Sequence, residues 1–246
     1  MSDVAASPTP IGAVATDGPM LELRDVDAAY GPFRALFGVS FAVHRGRVSA
    51  LLGANGSGKT TVARIATGLV TPTSGSVTFE GADLTGRRAY EYARRGIVHA
   101  VEGRSVFATL SVEENLTLAL SRGRAKSDVA EAVKRAYELF PRLGERRRQV
   151  AGTLSGGEQR MLSLARVLVD EPRLLVADEL SLGLAPIIVD DVYATLERIR
   201  DAGTTLLIVE QHVGHALALA DEAVILEKGS VAFAGRTDEA RAHVGL

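Results

Sequence analysis

Gly53-Ala-Asn-Gly-Ser-Gly-Lys-Thr-Thr61 follows the pattern G-x-x-x-x-G-K-T, with Gly53, Gly58, Lys59 and Thr60 at its fixed positions. Val48-Ser-Ala-Leu-Leu52 precedes it, a short apolar run suited to a buried parallel strand. Thr61-Val-Ala-Arg-Ile-Ala-Thr67 follows, with apolar residues at helical spacing. Strand, glycine loop and helix in that order predict a phosphate-binding loop. The glycines let backbone N–H groups turn inward on phosphate oxygens, and the helix N-terminus adds a favourable dipole. Gly53, Asn55, Gly56, Ser57, Gly58, Lys59, Thr60 and Thr61 are therefore the candidate nucleotide contacts. Lys59 is expected to reach the β- and γ-phosphates, and the Thr60 hydroxyl to ligate Mg²⁺.

Outside the loop, 246 residues fit one α/β domain with an inserted subdomain. A formal net charge of −2 supplies no basic field to recruit nucleic acid or an anionic membrane. With no cysteine, disulfides, thiolate metal sites and cysteine nucleophiles are excluded. No apolar run approaches the roughly 20 residues needed to span a bilayer, and no signal peptide precedes Arg24, so any membrane role is expected to be peripheral. Residues 1–19, rich in Ala, Ser, Thr, Pro and Gly, read as a flexible tail, leaving 20–246 as the domain.

Met20–Val26 and Val39–Val43 alternate like half-exposed strands, with Tyr30 in a turn-rich loop between them, where taken alone it reads as a packing residue. Ser76–Glu80 reads as a strand and Gly81–Leu84 as a turn. From about 87 to 164 the helical pattern dominates, with a capping box at Ser111 and Glu114 and an apolar helix face over about 128–140. Arg146-Arg-Arg148 reads as a solvated face. Leu174–Ala177 and Thr204–Val209 are further buried strands, and Lys228-Gly229-Ser230 joins a hairpin. Strands alternating with helices on both sides of a helical block predict an α/β fold: a mostly parallel core sheet, an N-terminal antiparallel β subdomain and an inserted helical subdomain.

Two further motifs carry chemistry. Asp178-Glu179 closes a buried strand, and ligands in open α/β sheets sit at that edge. Asp178 suits the Mg²⁺ shell and Glu179 the polarisation of an attacking water. Leu154-Ser-Gly-Gly-Glu-Gln159 opens a helix expected over 158–169, so Ser155, Gly156, Gly157 and Glu158 form a second anion site. Two phosphate-binding devices in one chain suggest a head-to-tail dimer, with ATP clamped between the loop of one subunit and the serine-glycine turn of the other.

From about residue 20 to 240 the chain resembles the ATP-binding subunit of an ABC transporter, with the family's motifs in the family's order. Gly53–Thr61 match Walker A, Leu154–Gln159 the signature and Leu174–Glu179 Walker B, and Tyr30 falls on the aromatic that stacks on adenine. Arg34-Ala-Leu-Phe-Gly-Val-Ser, Val101-Glu-Gly-Arg-Ser-Val-Phe, Ser111-Val-Glu-Glu-Asn-Leu, Ser181-Leu-Gly-Leu-Ala-Pro186 and Val209-Glu-Gln resemble the branched-chain amino acid importer type. The resemblance implies an ATPase on the cytoplasmic face of the membrane, with ATP and Mg²⁺. Its partners would be integral-membrane permeases, a second ATP-binding subunit (identical or a paralogue) and, indirectly, a substrate-binding protein. No nucleic acid is expected.

The chain departs from the general ABC pattern at four positions. Glu102 stands at the Mg²⁺-contacting glutamine, Leu180 replaces a proline, Ala185 replaces an aspartate, and Gln211 occupies the switch-histidine position with His212 one residue later. Gln211 is expected to contact the γ-phosphate, and His212 to start a helix. The transported solute stays open between branched-chain amino acids and urea, short amides or other small polar molecules. A soluble ABC protein of translation or DNA repair is the alternative class. It is disfavoured by the single cassette and the acidic balance.

Overall fold

The computed structural model describes residues 18–100, 106–121, 125–169 and 171–243, so Glu102 and most of the expected tail lie outside the described residues. In chain order, β1 (Pro19–Tyr30) and β2 (Phe33–His44) form a hairpin, and β3 (Val48–Leu52) runs into the glycine loop and α1 (Lys59–Ala66). Next come β4 (Ser74–Phe79), β5 (Ala82–Asp83), α2 (Ala89–Arg94) and β6 (Ile97–Ala100). A helical stretch holds α3 (Val112–Leu120), α4 (Lys126–Leu139) and α5 (Pro141–Glu145), and α6 (Gly156–Leu168) leads into β7 (Leu174–Asp178). The chain then alternates α7 (Pro186–Asp201), β8 (Thr205–Glu210) and α8 (Val213–Leu219), and closes with β9 (Glu222–Glu227), β10 (Ser230–Arg236) and α9 (Thr237–His243).

The strands build two sheets, an antiparallel one in the order β2-β1-β4-β5 and a larger one in the order β10-β9-β3-β8-β7-β6. In the larger sheet every pairing is parallel except β9 with β10. Residues of β3, β7 and β8 are buried throughout, which explains their uninterrupted apolar sequences. Alternate residues serve opposite faces. Leu51, Val176, Leu207 and Val209 join α1 and the antiparallel sheet in one core, whereas Ala50, Leu52, Leu175, Leu206 and Ile208 join α6, α7 and α8 in the other. The phosphate-loop helix is thereby held between the two sheets, and its N-terminus is fixed relative to both.

The described residues differ from the sequence expectations in several places. The helical block expected over about 87–164 contains β6, which pairs with β7 at the sheet edge (His99 opposite Val176, Ala100 opposite Ala177). Four residues are too few to show a period, so only pairing reveals this strand. Pro19 belongs to β1, one residue into the expected tail, and β1 continues to Tyr30, which pairs with Phe33 across Gly31-Pro32. Tyr30 therefore ends a strand and does not sit in a loop. The expected turn at Gly81–Leu84 contains the two residues of β5, and α6 starts at Gly156, two residues before the expected Glu158. The arginine run Arg146–Arg148 is exposed, as expected, and Arg146 Nε pairs with Glu158 Oε1 at 2.9 Å. Both local signals in the helical stretch hold. The Ser111 N–H donates to Glu114 Oε2 at 2.7 Å, and α4 buries Val129, Val133 and Ala136.

Candidate active site

The glycine loop is shaped by close approach. Gly53 has φ 153°, and a Cβ there would lie 2.4 Å from the Leu226 carbonyl oxygen. Gly58 has φ 105°, with Leu36 Cδ2 2.6 Å from a Cβ placed on it. Any side chain at either position would collide with packed neighbours and strain the backbone. Gly58 also precedes α1 without a side-chain cap, which leaves the first amides of the helix to a ligand.

These amides face a cleft of about 510 Å³ lined by Arg34, Phe37, Asn55, Gly56, Lys59, Thr60, Thr61, Glu179 and Lys228. Lys59 is only 3% exposed, and its Nζ donates to the carbonyls of Gly53 (2.9 Å) and Ala54 (3.2 Å). It also lies 3.6 Å from Glu179 Oε1, so carbonyl dipoles and a carboxylate balance the buried ammonium. The Ser57 hydroxyl, beneath the loop, is buried without a partner among the described residues. A buried polar atom of that kind is ordinarily satisfied by something bound.

At the end of β7, Glu179 adopts φ 49°, an uncommon conformation for a residue with a side chain. Its N–H still donates to Val209 O at 2.9 Å, extending the ladder one residue past Asp178 while its side chain lines the loop cleft. Asp178 is 5% exposed and does not line that cleft. Its Oδ2 lies 3.5 Å from His99 Nε2, and its Oδ1 is buried with no partner among the described residues. Leu180, where the general pattern has proline, is buried in the core packed by α6, α7 and α8, so apolar packing holds this turn. Ser181 then donates through its N–H to Glu210 Oε1 (3.1 Å) and through its hydroxyl to Glu210 Oε2 (2.9 Å). Burial raises the Glu210 pKa above the carboxylate range; the bonds from Ser181 oppose the shift and the Glu179 charge adds to it.

Gln211 follows β8 and lines a second cleft, of about 540 Å³, formed with Gly53–Ser57 and Lys228. His212 is exposed and begins α8 without capping it. Tyr30 is exposed and lines neither cleft; Phe37, with the Arg34 guanidinium 4.6 Å from its ring centroid, is the aromatic that does.

Ser155 to Glu158 also line neither cleft. Ser155 is the N-cap of α6, its N–H and hydroxyl each 2.9 Å from Glu158 Oε2. Burial pushes the Glu158 carboxyl up, yet the bonds from Ser155 and the charges of Arg146 and Arg142 leave it below its ordinary pKa. A Cβ on Gly157 would lie 2.4 Å from Ile188 Cγ2, whereas one on Gly156 would meet nothing within 4 Å. Gly157 is thus explained by packing against α7, while Gly156 faces open space.

The sequence did not single out His99, Phe37 or Lys228 as site residues, and Glu210 entered only within Val209-Glu-Gln. Glu210 could have been found, because a carboxylate ending the buried run of β8 needs partners. His99 carried no such signal.

Residues 36–181 match the ABC transporter family. The high-affinity branched-chain amino acid transport ATP-binding protein BraG of Pseudomonas aeruginosa is 43% identical over 86% of this chain and 91% of its own length. The probable branched-chain amino acid transport ATP-binding protein LivF of Archaeoglobus fulgidus is 35% identical over 91% and 95%. Among solved structures, an ATP-binding cassette of an ABC transporter in its ADP conformation superposes with a TM-score of 0.80 at 28% identity, covering 90% of this chain and 92% of that one.

Proposed function

The chain belongs to the ABC transporter family, and we propose that it is the ATP-hydrolysing subunit that energises an importer of branched-chain amino acids. The observation that carries the ATPase reading is the convergence of Lys59 and Glu179, 3.6 Å apart, in the cleft at the uncapped start of α1. In this reading the loop amides and Lys59 hold the phosphates, and the Glu179 carboxylate accepts a hydrogen bond from the attacking water. The Gln211 amide donates to the γ-phosphate from its position beside Gly53–Ser57.

Thr60 and Asp178 would hold Mg²⁺. Hydroxyl and carboxylate oxygens suit this hard cation, and the partnerless Oδ1 of Asp178 fits a bound ion or its waters. When bound, the ion supplies neutralisation of charge developing on the phosphate oxygens.

The separation of Ser155, Gly156, Gly157 and Glu158 from both clefts supports a head-to-tail dimer in which they close over the nucleotide of the other subunit. That subunit is either a second copy or a paralogue. Permeases would dock on the segment Glu102–Leu118, of which residues 106–118 are described. There Phe107 is exposed under the Arg166 guanidinium, while Val106 packs on the core. Buried Asn115 braces the segment, accepting from Phe107 N at 2.8 Å and donating to Phe107 O at 3.0 Å. Among the described residues no helix is long and apolar enough to cross a membrane, which fits attachment to the cytoplasmic face through permeases that are fed by a substrate-binding protein.

The test is a pair of variants. Lys59→Ala should weaken ATP binding and turnover together, because the cation between the β- and γ-phosphates is gone. Glu179→Gln should bind ATP, lose turnover and accumulate as an ATP-bound dimer in size-exclusion chromatography with ATP-Mg²⁺. Wild-type turnover in Glu179→Gln would overturn the assignment.

A further inference from the structure

The edge strand β6 carries a side chain that the hydrolytic scheme does not use. His99 pairs in register with Val176, which places its imidazole beside Asp178, two residues further along β7. Its side chain is 7% exposed, with Nε2 3.5 Å from Asp178 Oδ2. On its other edge, Nδ1 lies 3.3 Å from Thr67 Oγ1. Thr67 is the C-cap of α1, the helix that begins with Lys59 and Thr60. The imidazole therefore joins the far end of the phosphate-loop helix to the carboxylate that ends β7.

The proton arrangement follows from the neighbours. A carboxylate facing Nε2 favours the tautomer that carries its hydrogen there, and in that tautomer the single proton of the Thr67 hydroxyl, 2.9 Å from the Ala63 carbonyl, must turn instead to Nδ1 at 3.3 Å. In the opposite tautomer a nitrogen lone pair would face carboxylate oxygen in a buried site, which is repulsive. At 3.5 Å this is a contact and not a formed hydrogen bond: His99 Nε2, like Asp178 Oδ1, is buried without a hydrogen-bond partner among the described residues. The imidazole edge lies toward Oδ2 and leaves Oδ1 unpaired among those residues.

We propose that His99 is a positioning residue for Asp178: it holds Oδ2 and thereby presents Oδ1 to the magnesium shell. The inference rests on the ATPase reading above. Residues of this kind, one step behind a metal ligand, orient it and raise its affinity for the ion.

The experiment measures two affinities: Mn²⁺ by electron paramagnetic resonance with a non-hydrolysable ATP analogue present, and the analogue itself in EDTA. His99→Asn places an amide near Nδ1 only, whereas His99→Gln reaches the position of Nε2 and can still donate to Asp178. His99→Asn should weaken Mn²⁺ about tenfold or more while the analogue in EDTA changes less than about twofold, and His99→Gln should stay within about threefold of wild type for both. Mn²⁺ affinity at the wild-type level in His99→Asn overturns the proposal. So does a parallel loss of both affinities in both variants, because that is what a packing role produces. If His99→Asn does not fold, Thr67→Val removes the donor to Nδ1 and should lower Mn²⁺ affinity in the same direction; no change there is equally fatal. Absence of Mn²⁺ binding in the wild type would instead overturn the ATPase reading on which the proposal stands.

Discussion

Ser181→Ala removes a hydroxyl that donates to a buried carboxylate, and its effect can be sized from the contacts. The hydroxyl bond to Glu210 Oε2 is 2.9 Å long, with Ser181 9% exposed and Glu210 2% exposed, so water does not replace it. A hydrogen bond to a charged group is worth about 1.5–3 kcal/mol, and a loss of about 2 kcal/mol is expected. For a domain of this size that corresponds to about 4–8 °C in Tm. Turnover should fall as well, because the same turn holds Glu179 at φ 49° against local strain. Glu210→Gln provides the matching control. Glu210 has a raised pKa in the folded state, so the folded form binds its proton more tightly than the unfolded form does. Its contribution is present below the ordinary carboxylate range and is lost as pH rises through the folded value. The stability of Glu210→Gln relative to wild type should therefore improve from pH 4 to pH 8. The assay is urea unfolding at both pH values, with m compared between variants. A Ser181→Ala loss below about 0.5 kcal/mol, the ordinary scatter of surface substitutions, would refute the reasoning. So would a Glu210→Gln difference that does not move with pH.

Two further expectations follow from the same geometry. Gln211→Ala should slow hydrolysis far more than His212→Ala, with no histidine-like inflection between pH 6 and 8, since glutamine does not titrate; steady-state ATPase profiles of both variants check it, and the reverse ranking would move the switch to His212. Ser155→Arg should leave ATP affinity of the monomer near wild type while abolishing hydrolysis and ATP-induced dimerisation, because Ser155 lines neither cleft of its own chain. Calorimetric titration alongside sizing decides it: an affinity loss as large as that of Lys59→Ala would rule out the head-to-tail arrangement.

Much of this molecule was legible from short-range pattern. The phosphate loop, its strand and its helix lie within one continuous segment, and each reports itself through glycine, apolar run or period. The capping box at Ser111 is likewise local, because it closes over four residues. The hairpin at Lys228-Gly229 needs only two residues at positive φ.

The resemblance assigns adenine stacking to Tyr30, which is exposed at the end of β1, while Phe37 on β2 is the aromatic that lines the loop cleft, a placement that pairing across the turn decides. By itself the sequence determined the nucleotide loop, the acidic strand end, the signature helix and the alternation of strands and helices, because those properties are written in neighbours. Only the tertiary structure decided that β6 joins the sheet, that His99 lies against Asp178, and that Glu210 grips Ser181. The order β8-β7-β6 brings those side chains together across long stretches of chain, and strand order is fixed by which apolar faces can be buried at once, a condition that no local period encodes.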